Sequence, residues 1–216
     1  MMVMLGNHSS PVFHYWAGKY PGKLGWLIGP SAQPKTKLRP WVSYALDNDA
    51  FAAWQNGTPW DEGLYFRFLD WVATQSFKPM WATVPDVVAD ASATLANWAK
   101  YAPRCRAYGF GLAFVMQDGV KLSDVPSSAD LVFIGGTYSW KWQNLPTFCK
   151  AFPRVHVGRV NTLSKVRRAA ELGVESVDGT GWFRRPEKDF WLLEEFLKGA
   201  PGLQMEMKFK AQIPKA

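Results

Sequence analysis

Cysteine is scarce in this chain, and its scarcity closes off a class of metal chemistry. Only Cys105 and Cys149 occur among 216 residues. Two thiols with no CxxC spacing cannot supply a structural zinc site by themselves. They read as reduced thiols in a packed interior. Long apolar runs are also missing. No stretch reaches the ~18 apolar residues of a membrane span, and no basic segment followed by an apolar run and a cleavage site opens the chain. A soluble cytoplasmic protein with no membrane partner is expected. Acidic residues are outnumbered, 18 against 25 Lys and Arg. The resulting charge of +7 points to acidic partners, of which nucleic acid is the commonest. No linker, low-complexity tract or repeat divides the sequence, so residues 1–216 read as a single domain with a well-buried core.

What is present is an alternation. From about residue 25 onward, short apolar runs rich in β-branched and aromatic residues alternate with segments of helical periodicity, the pattern of βα units around a parallel sheet. Runs over 41–46, 80–85, 111–116, 131–134, 155–157 and 174–177 end respectively at Asp47, Asp86, Gln117, Gly135-Gly136, Gly158-Arg159 and Asp178. Adding 25–28 as a first strand and 204–208 as a last one makes eight. Helices are expected over 61–74, 89–101, 140–151, 163–172 and 187–198, with Thr162 as an N-cap and Gly173 as a stop for the fourth. The Pro- and Lys-rich stretch 30–40 reads as a loop. The fold class is α/β, a (β/α)8 TIM-like barrel, either complete or lacking its outermost strands.

A barrel of parallel strands carries its active site at the C-terminal strand ends. Asp47, Asp86, Gln117, Gly135, Gly136 and Asp178 all meet that description. One aspartate alone in such a place reads more simply as a helix cap. Three aspartates, a glutamine and a Gly-Gly pair on one rim are a different matter. A carboxylate near an anomeric carbon can act as a nucleophile while a second moves protons. A carboxylate and a carboxamide can also read the edge of a purine. Glycine lets a ligand approach the backbone closely.

These segments resemble, in order, those of the tRNA-guanine transglycosylase superfamily, especially its short DNA-acting branch, which inserts 7-deazaguanines into phage and bacterial DNA. Ala45-Leu46-Asp47-Asn48-Asp49-Ala50-Phe51 is similar to the superfamily's Asp-Ser-Gly-Gly-aromatic segment. The resemblance makes Asp47 the proton-transfer group and Phe51 the ring stacked on the bound base. Asp49, where glycine is usual, leaves a second carboxylate as an alternative to Asp47. Val84-Pro85-Asp86-Val87 resembles the segment whose aspartate reads the base. Met116-Gln117-Asp118-Gly119 resembles the Val-Gln-Gly-Gly strand end, which makes Gln117 a second base reader. Ile134-Gly135-Gly136 resembles the Gly-Gly whose backbone completes the pocket. Gly173-Val174-Glu175-Ser176-Val177-Asp178 is similar to the Gly-Val-Asp-x-Phe-Asp segment and puts the nucleophile at Asp178, with Arg184 where the family has an arginine.

The resemblance covers residues 44–185 and implies exchange of guanine, the leaving base, for a 7-deazaguanine such as 7-cyano-7-deazaguanine, with no metal or other cofactor. The zinc-binding insertion of the tRNA-acting enzymes, with three cysteines and a histidine, has no counterpart here. DNA is therefore the expected partner ahead of tRNA, with the oligomeric state open, and a phage-encoded copy would act in the host's cytoplasm. Arg159, Arg184 and Arg185 fall in rim loops suited to phosphate contact, whereas Lys165 and Arg168 suit a solvated helix face. His156 and His14 read as core histidines rather than acid-base groups. A nucleoside or glycoside hydrolase on the same barrel, or a nucleic-acid-binding barrel without catalysis, stays open beside the exchange reading.

Overall fold

In the computed structural model, which describes residues 1–6, 10–32, 37–183 and 190–199, eight parallel strands close into one barrel in chain order. They are β1 (Met2–Gly6), β2 (Leu24–Ile28), β3 (Ser43–Leu46), β4 (Ala82–Thr83), β5 (Leu112–Met116), β6 (Leu131–Ile134), β7 (Val155–Val157) and β8 (Ser176–Asp178). The helices are α1 (Pro11–Lys19), α2 (Ala50–Gln55), α3 (Glu62–Ala73), α4 (Ala91–Arg106), α5 (Tyr138–Ala151), α6 (Leu163–Glu171) and α7 (Trp191–Gly199). The barrel is complete. Its count, however, differs from the one read along the sequence. The run at 25–28 is the second strand, and the ring is closed by β8 pairing with β1, Met4 opposite Asp178. The expected strand at 204–208 lies outside the described residues. Among the described residues no helix is long and apolar enough to cross a membrane.

Strand periodicity decides which residues meet. Met4, Leu27, Ala45, Trp81, Ala113 and Leu131 point inward and pack with Met2, Met80 and Phe133 inside the barrel. Val3, Leu5, Trp26, Ile28, Tyr44 and Leu46 belong to the larger core beneath the helices. The rings of Trp81 and Phe133 flank His156, with centroids 4.9 and 4.4 Å from it. Each large side chain buried this way contributes on the order of 2–3 kcal/mol, and the barrel centre is packed rather than open.

Caps mark where several helices begin. Asp61 accepts from the Leu64 N–H at 2.8 Å, Asp90 from Ala93 at 2.9 Å, and Ser10 from Phe13 at 3.2 Å, with Pro11 in the first turn of α1. Thr162 precedes α6 as expected, but its hydroxyl pairs with Ser164 instead of capping the backbone. Helix α4 runs five residues past its expected end, through Pro103, because Tyr101, Ala102 and Cys105 continue its buried face. Within the stretch read as a loop, Pro30–Ala32 forms a 3-10 turn with both ends buried. The two cysteines are free thiols, Cys105 buried and Cys149 half-buried, and burial raises the Cys105 thiol to about 11.

Candidate active site

Counting inward positions toward the C-terminal end of each strand gives Asp47 after Ala45, Gln117 after Val115, Gly158 after His156 and Asp178 after Ser176. The alternation that packs the barrel thus brings chemistry-bearing residues to its mouth. There they border a cavity of about 480 Å³. Its described lining includes four carboxylates (Asp47, Asp49, Asp86 and Asp178), one guanidinium (Arg159), Gln117, Asn48, Gly136 and the rings of Phe51 and Phe133.

Asp178 is 8% exposed. Its Oδ1 lies 3.0 Å from His156 Nε2, and its Oδ2 accepts from the Arg159 backbone N–H at 3.2 Å. His156 is fully buried, and its Nδ1 lies 2.8 Å from Ser176 Oγ. When Nε2 carries the proton toward the carboxylate, Nδ1 accepts from the serine hydroxyl, so every polar atom in the chain Ser176–His156–Asp178 has a partner. His156 is thus the core residue that its strand position suggests, and it also orients the carboxylate read as the nucleophile. Gly158 leaves the necessary room: a Cβ there would come within 2.7 Å of Phe133 and 3.3 Å of Asp178 Oδ1.

Asp47 is held differently. One backbone donor, the Asn48 N–H, reaches its Oδ1 at 2.8 Å. Burial raises its pKa to about 8, reinforced by the negative charges of Asp49, Asp178 and Asp86. Near neutral pH it holds a proton. The neighbouring Asp49 has a left-handed backbone (φ 59°), a conformation that favours glycine, and its Oδ2 accepts from the Ser31 N–H at 2.7 Å. That bond ties Asp49 toward the end of β2, although it too lines the cavity.

Asp86 is gripped by two amides. Asn48 Nδ2 donates to its Oδ1 at 2.9 Å and Gln117 Nε2 to its Oδ2 at 2.6 Å. Burial raises its pKa, while the Asn48 and Gln117 hydrogen bonds oppose the rise. Gln117, itself 3% exposed, accepts at Oε1 from the backbone N–H groups of Ala89 (3.0 Å) and Gly136 (3.2 Å). Its carbonyl is therefore occupied, and it supports Asp86 and the β6 loop as much as it faces the cavity. Gly136, with φ 59°, lines the cavity, and its carbonyl accepts from Arg159 Nη2. Gly135 is not among the lining residues. It is buried against Gln117 and Val115, where a Cβ would approach both at 3.0 Å.

Phe51 opens α2 at the mouth, stacked on Trp54 (5.7 Å between centroids) with the Arg159 guanidinium 4.4 Å above its ring. Arg159 is thus folded over the cavity, one of three non-glycine residues with positive φ among the described residues. Arg184 and Arg185 lie outside the described residues. Lys165, one of the residues assigned to a solvated face, has its ammonium 4.5 Å from the Trp142 ring.

Of three supporting residues, His156 reads along the chain only as a core histidine, and Asn48 and Lys141 have no role there. Asn48 is buried and binds the Val84 carbonyl, Asp86 and the Ala50 N–H at once. Lys141 is 1% exposed and donates to the Gly158 carbonyl. Its spacing with Leu145 and Phe148, the other buried residues of α5, was the available signal, since it places a lysine in a helix's apolar stripe. Among the described residues no cluster of His, Cys, Asp and Glu has an arrangement that could hold a metal ion.

No family model matches the chain, and no curated protein is similar to it in sequence. Among solved structures it is similar to 3-hexulose-6-phosphate synthase from Salmonella typhimurium, with a TM-score of 0.57 and 14% identity over 93% of this chain and 100% of that one. At that identity the likeness is one of fold, a (β/α)8 barrel.

Proposed function

We propose that the protein is a base-exchanging transglycosylase that replaces guanine in DNA with a 7-deazaguanine such as 7-cyano-7-deazaguanine. The observation that carries the reading is the contrast between two carboxylates in one cavity. Asp178 is embraced by donors from His156 and the Arg159 backbone, which suits an anion. Asp47 is raised to about 8 and suits a proton carrier. A carboxylate held by hydrogen-bond donors, beside a second carboxyl group that carries a proton, is the pair a double displacement uses.

Asp178 attacks C1′ of the target nucleotide as the C1′–N9 bond breaks, and Asp47 gives its proton to the departing guanine. The 7-deazaguanine then enters. Its ring nitrogen loses a proton to the Asp47 carboxylate and attacks C1′, releasing Asp178 and restoring both groups. Asp86, presented by Asn48 and Gln117, retains lone pairs for the N–H edge of the base, and Phe51 offers a ring for stacking. A target base must leave the helical stack to enter a rim cavity, so single-stranded or flipped substrate is implied. The positive charge of the chain favours a polyanion, and Arg159 is the arginine that lines the cavity among the described residues.

The test is incubation with radiolabelled guanine, or with 7-cyano-7-deazaguanine, using duplex DNA, single-stranded DNA and tRNA as acceptors. Incorporation into DNA that Asp178→Asn abolishes is expected. Incorporation into tRNA alone would overturn the choice of polymer. Abasic sites without incorporation would make the protein a hydrolase, and binding without either product would make it a non-catalytic module.

A further inference from the structure

Beneath the mouth of the barrel sits a cation that the exchange reaction does not use. Lys141, in the first turn of α5, is 1% exposed, and its ammonium donates to the carbonyl of Gly158. The same peptide unit carries the N–H of Arg159, which points to Asp178 Oδ2 at 3.2 Å. In a trans peptide the carbonyl and the N–H point in opposite directions, so one rigid plane spans from the lysine to the carboxylate.

We infer that Lys141 is a positioning residue. By holding the Gly158 carbonyl, it keeps the Gly158–Arg159 peptide turned so that its N–H, and not its oxygen, faces Asp178. The inference rests on Asp178 being the nucleophile of the proposed reaction.

Three observations support it. First, Arg159 is left-handed (φ 60°) without being glycine, a conformation that persists only where surroundings enforce it. Rotation of the 158–159 peptide is the direct way to relieve it, and that rotation would turn a carbonyl oxygen toward a carboxylate. Second, a cation on the carbonyl polarises the peptide and strengthens the N–H as a donor. Third, the loop so held also sets the Arg159 side chain, which crosses to the Gly136 carbonyl and covers Phe51. The charged groups that face Lys141 are Arg159 after β7, Asp178 on β8 and Asp118 after β5. Burial first, and then the Arg159 charge, lower its pKa to about 8, with Asp178 and Asp118 opposing the change.

The test follows the Arg159 amide by 1H–15N NMR, a readout that needs no turnover. In Lys141→Met at neutral pH, the Arg159 amide is expected to lose about tenfold or more of its protection from hydrogen exchange, and base exchange is expected to fall with it. Lys141→Arg, which keeps the cation, is expected to restore both. Retained protection in Lys141→Met would overturn the inference. If that variant does not fold, the Asp47→Asn protein decides, because it lacks the carboxyl group whose pKa, raised to about 8, would overlap that of Lys141. There the Arg159 amide shift should titrate as Lys141 loses its proton, and a shift constant from about pH 6.5 to 11 would overturn the inference. Loss of protection in a protein whose wild type exchanges no base would leave the positioning role standing and refute the transglycosylase reading alone.

Discussion

Replacing Asp47 by asparagine should make the folded protein progressively more stable than the wild type as pH rises toward about 8. The Asp47 carboxyl rises from an ordinary 3.8 to about 8 on folding, chiefly through burial and then through Asp49, Asp178 and Asp86. Between those two values the folded chain keeps a proton that the unfolded chain has released. Stability therefore declines as pH rises through that window, whereas a carboxylate with a lowered pKa would have the opposite effect. At about 1.4 kcal/mol per pH unit, the ceiling on the loss is on the order of 5 kcal/mol. Water still reaches the partly exposed carboxyl and offsets some of this, leaving about 2 kcal/mol or more at pH 8. Asparagine keeps the acceptor for the Asn48 N–H at 2.8 Å and cannot ionise. Urea unfolding of both proteins, repeated at intervals from about pH 5 to pH 8, should show a gap in free energy that widens steadily in favour of the variant. A constant gap would mean that Asp47 ionises normally in the folded protein. The assignment of Asp47 as the proton carrier at neutral pH would then fail, whatever the variant did to activity.

Two further outcomes test the scaffold around the site. Ala89→Gly should raise the urea midpoint, because Ala89 is left-handed at φ 60°; relief of about 1–2 kcal/mol outweighs the 0.5–1 kcal/mol of extra chain entropy, and a lowered midpoint would refute the strain. Gln117→Leu should cost about 2–4 kcal/mol by stranding the Ala89 and Gly136 N–H groups and one Asp86 oxygen. Gln117→Glu should recover stability at acidic pH, where a shared proton can bridge it to Asp86; equal stability of the two variants across pH would argue against that bridge.

Along the chain, the strand ends were legible because a run of inward and outward apolar residues must stop where the barrel meets water, and a polar residue in the next inward position must face its mouth. Asp47, Gln117 and Asp178 are located by that pattern alone. Met2–Gly6 has a single β-branched residue and is not expected as a strand, nor are Pro11–Lys19 and Ala50–Gln55 as helices, and the unread first strand makes 25–28 the second of eight. Only closure, β8 against β1, showed that the ring needs nothing beyond Asp178 to be complete.

The supporting groups are another matter. His156 meets Asp178 across 22 positions and Lys141 meets Gly158 across 17. Neither spacing leaves a pattern in the chain, because hydrogen-bond partners on adjacent βα units are set by register and helix placement. Composition and periodicity thus determined which residues reach the rim. The tertiary structure decided that Asp178 meets the His156 ring and the Arg159 N–H while Asp47 is raised by burial, since contacts, burial and neighbouring charge exist only once the elements have packed.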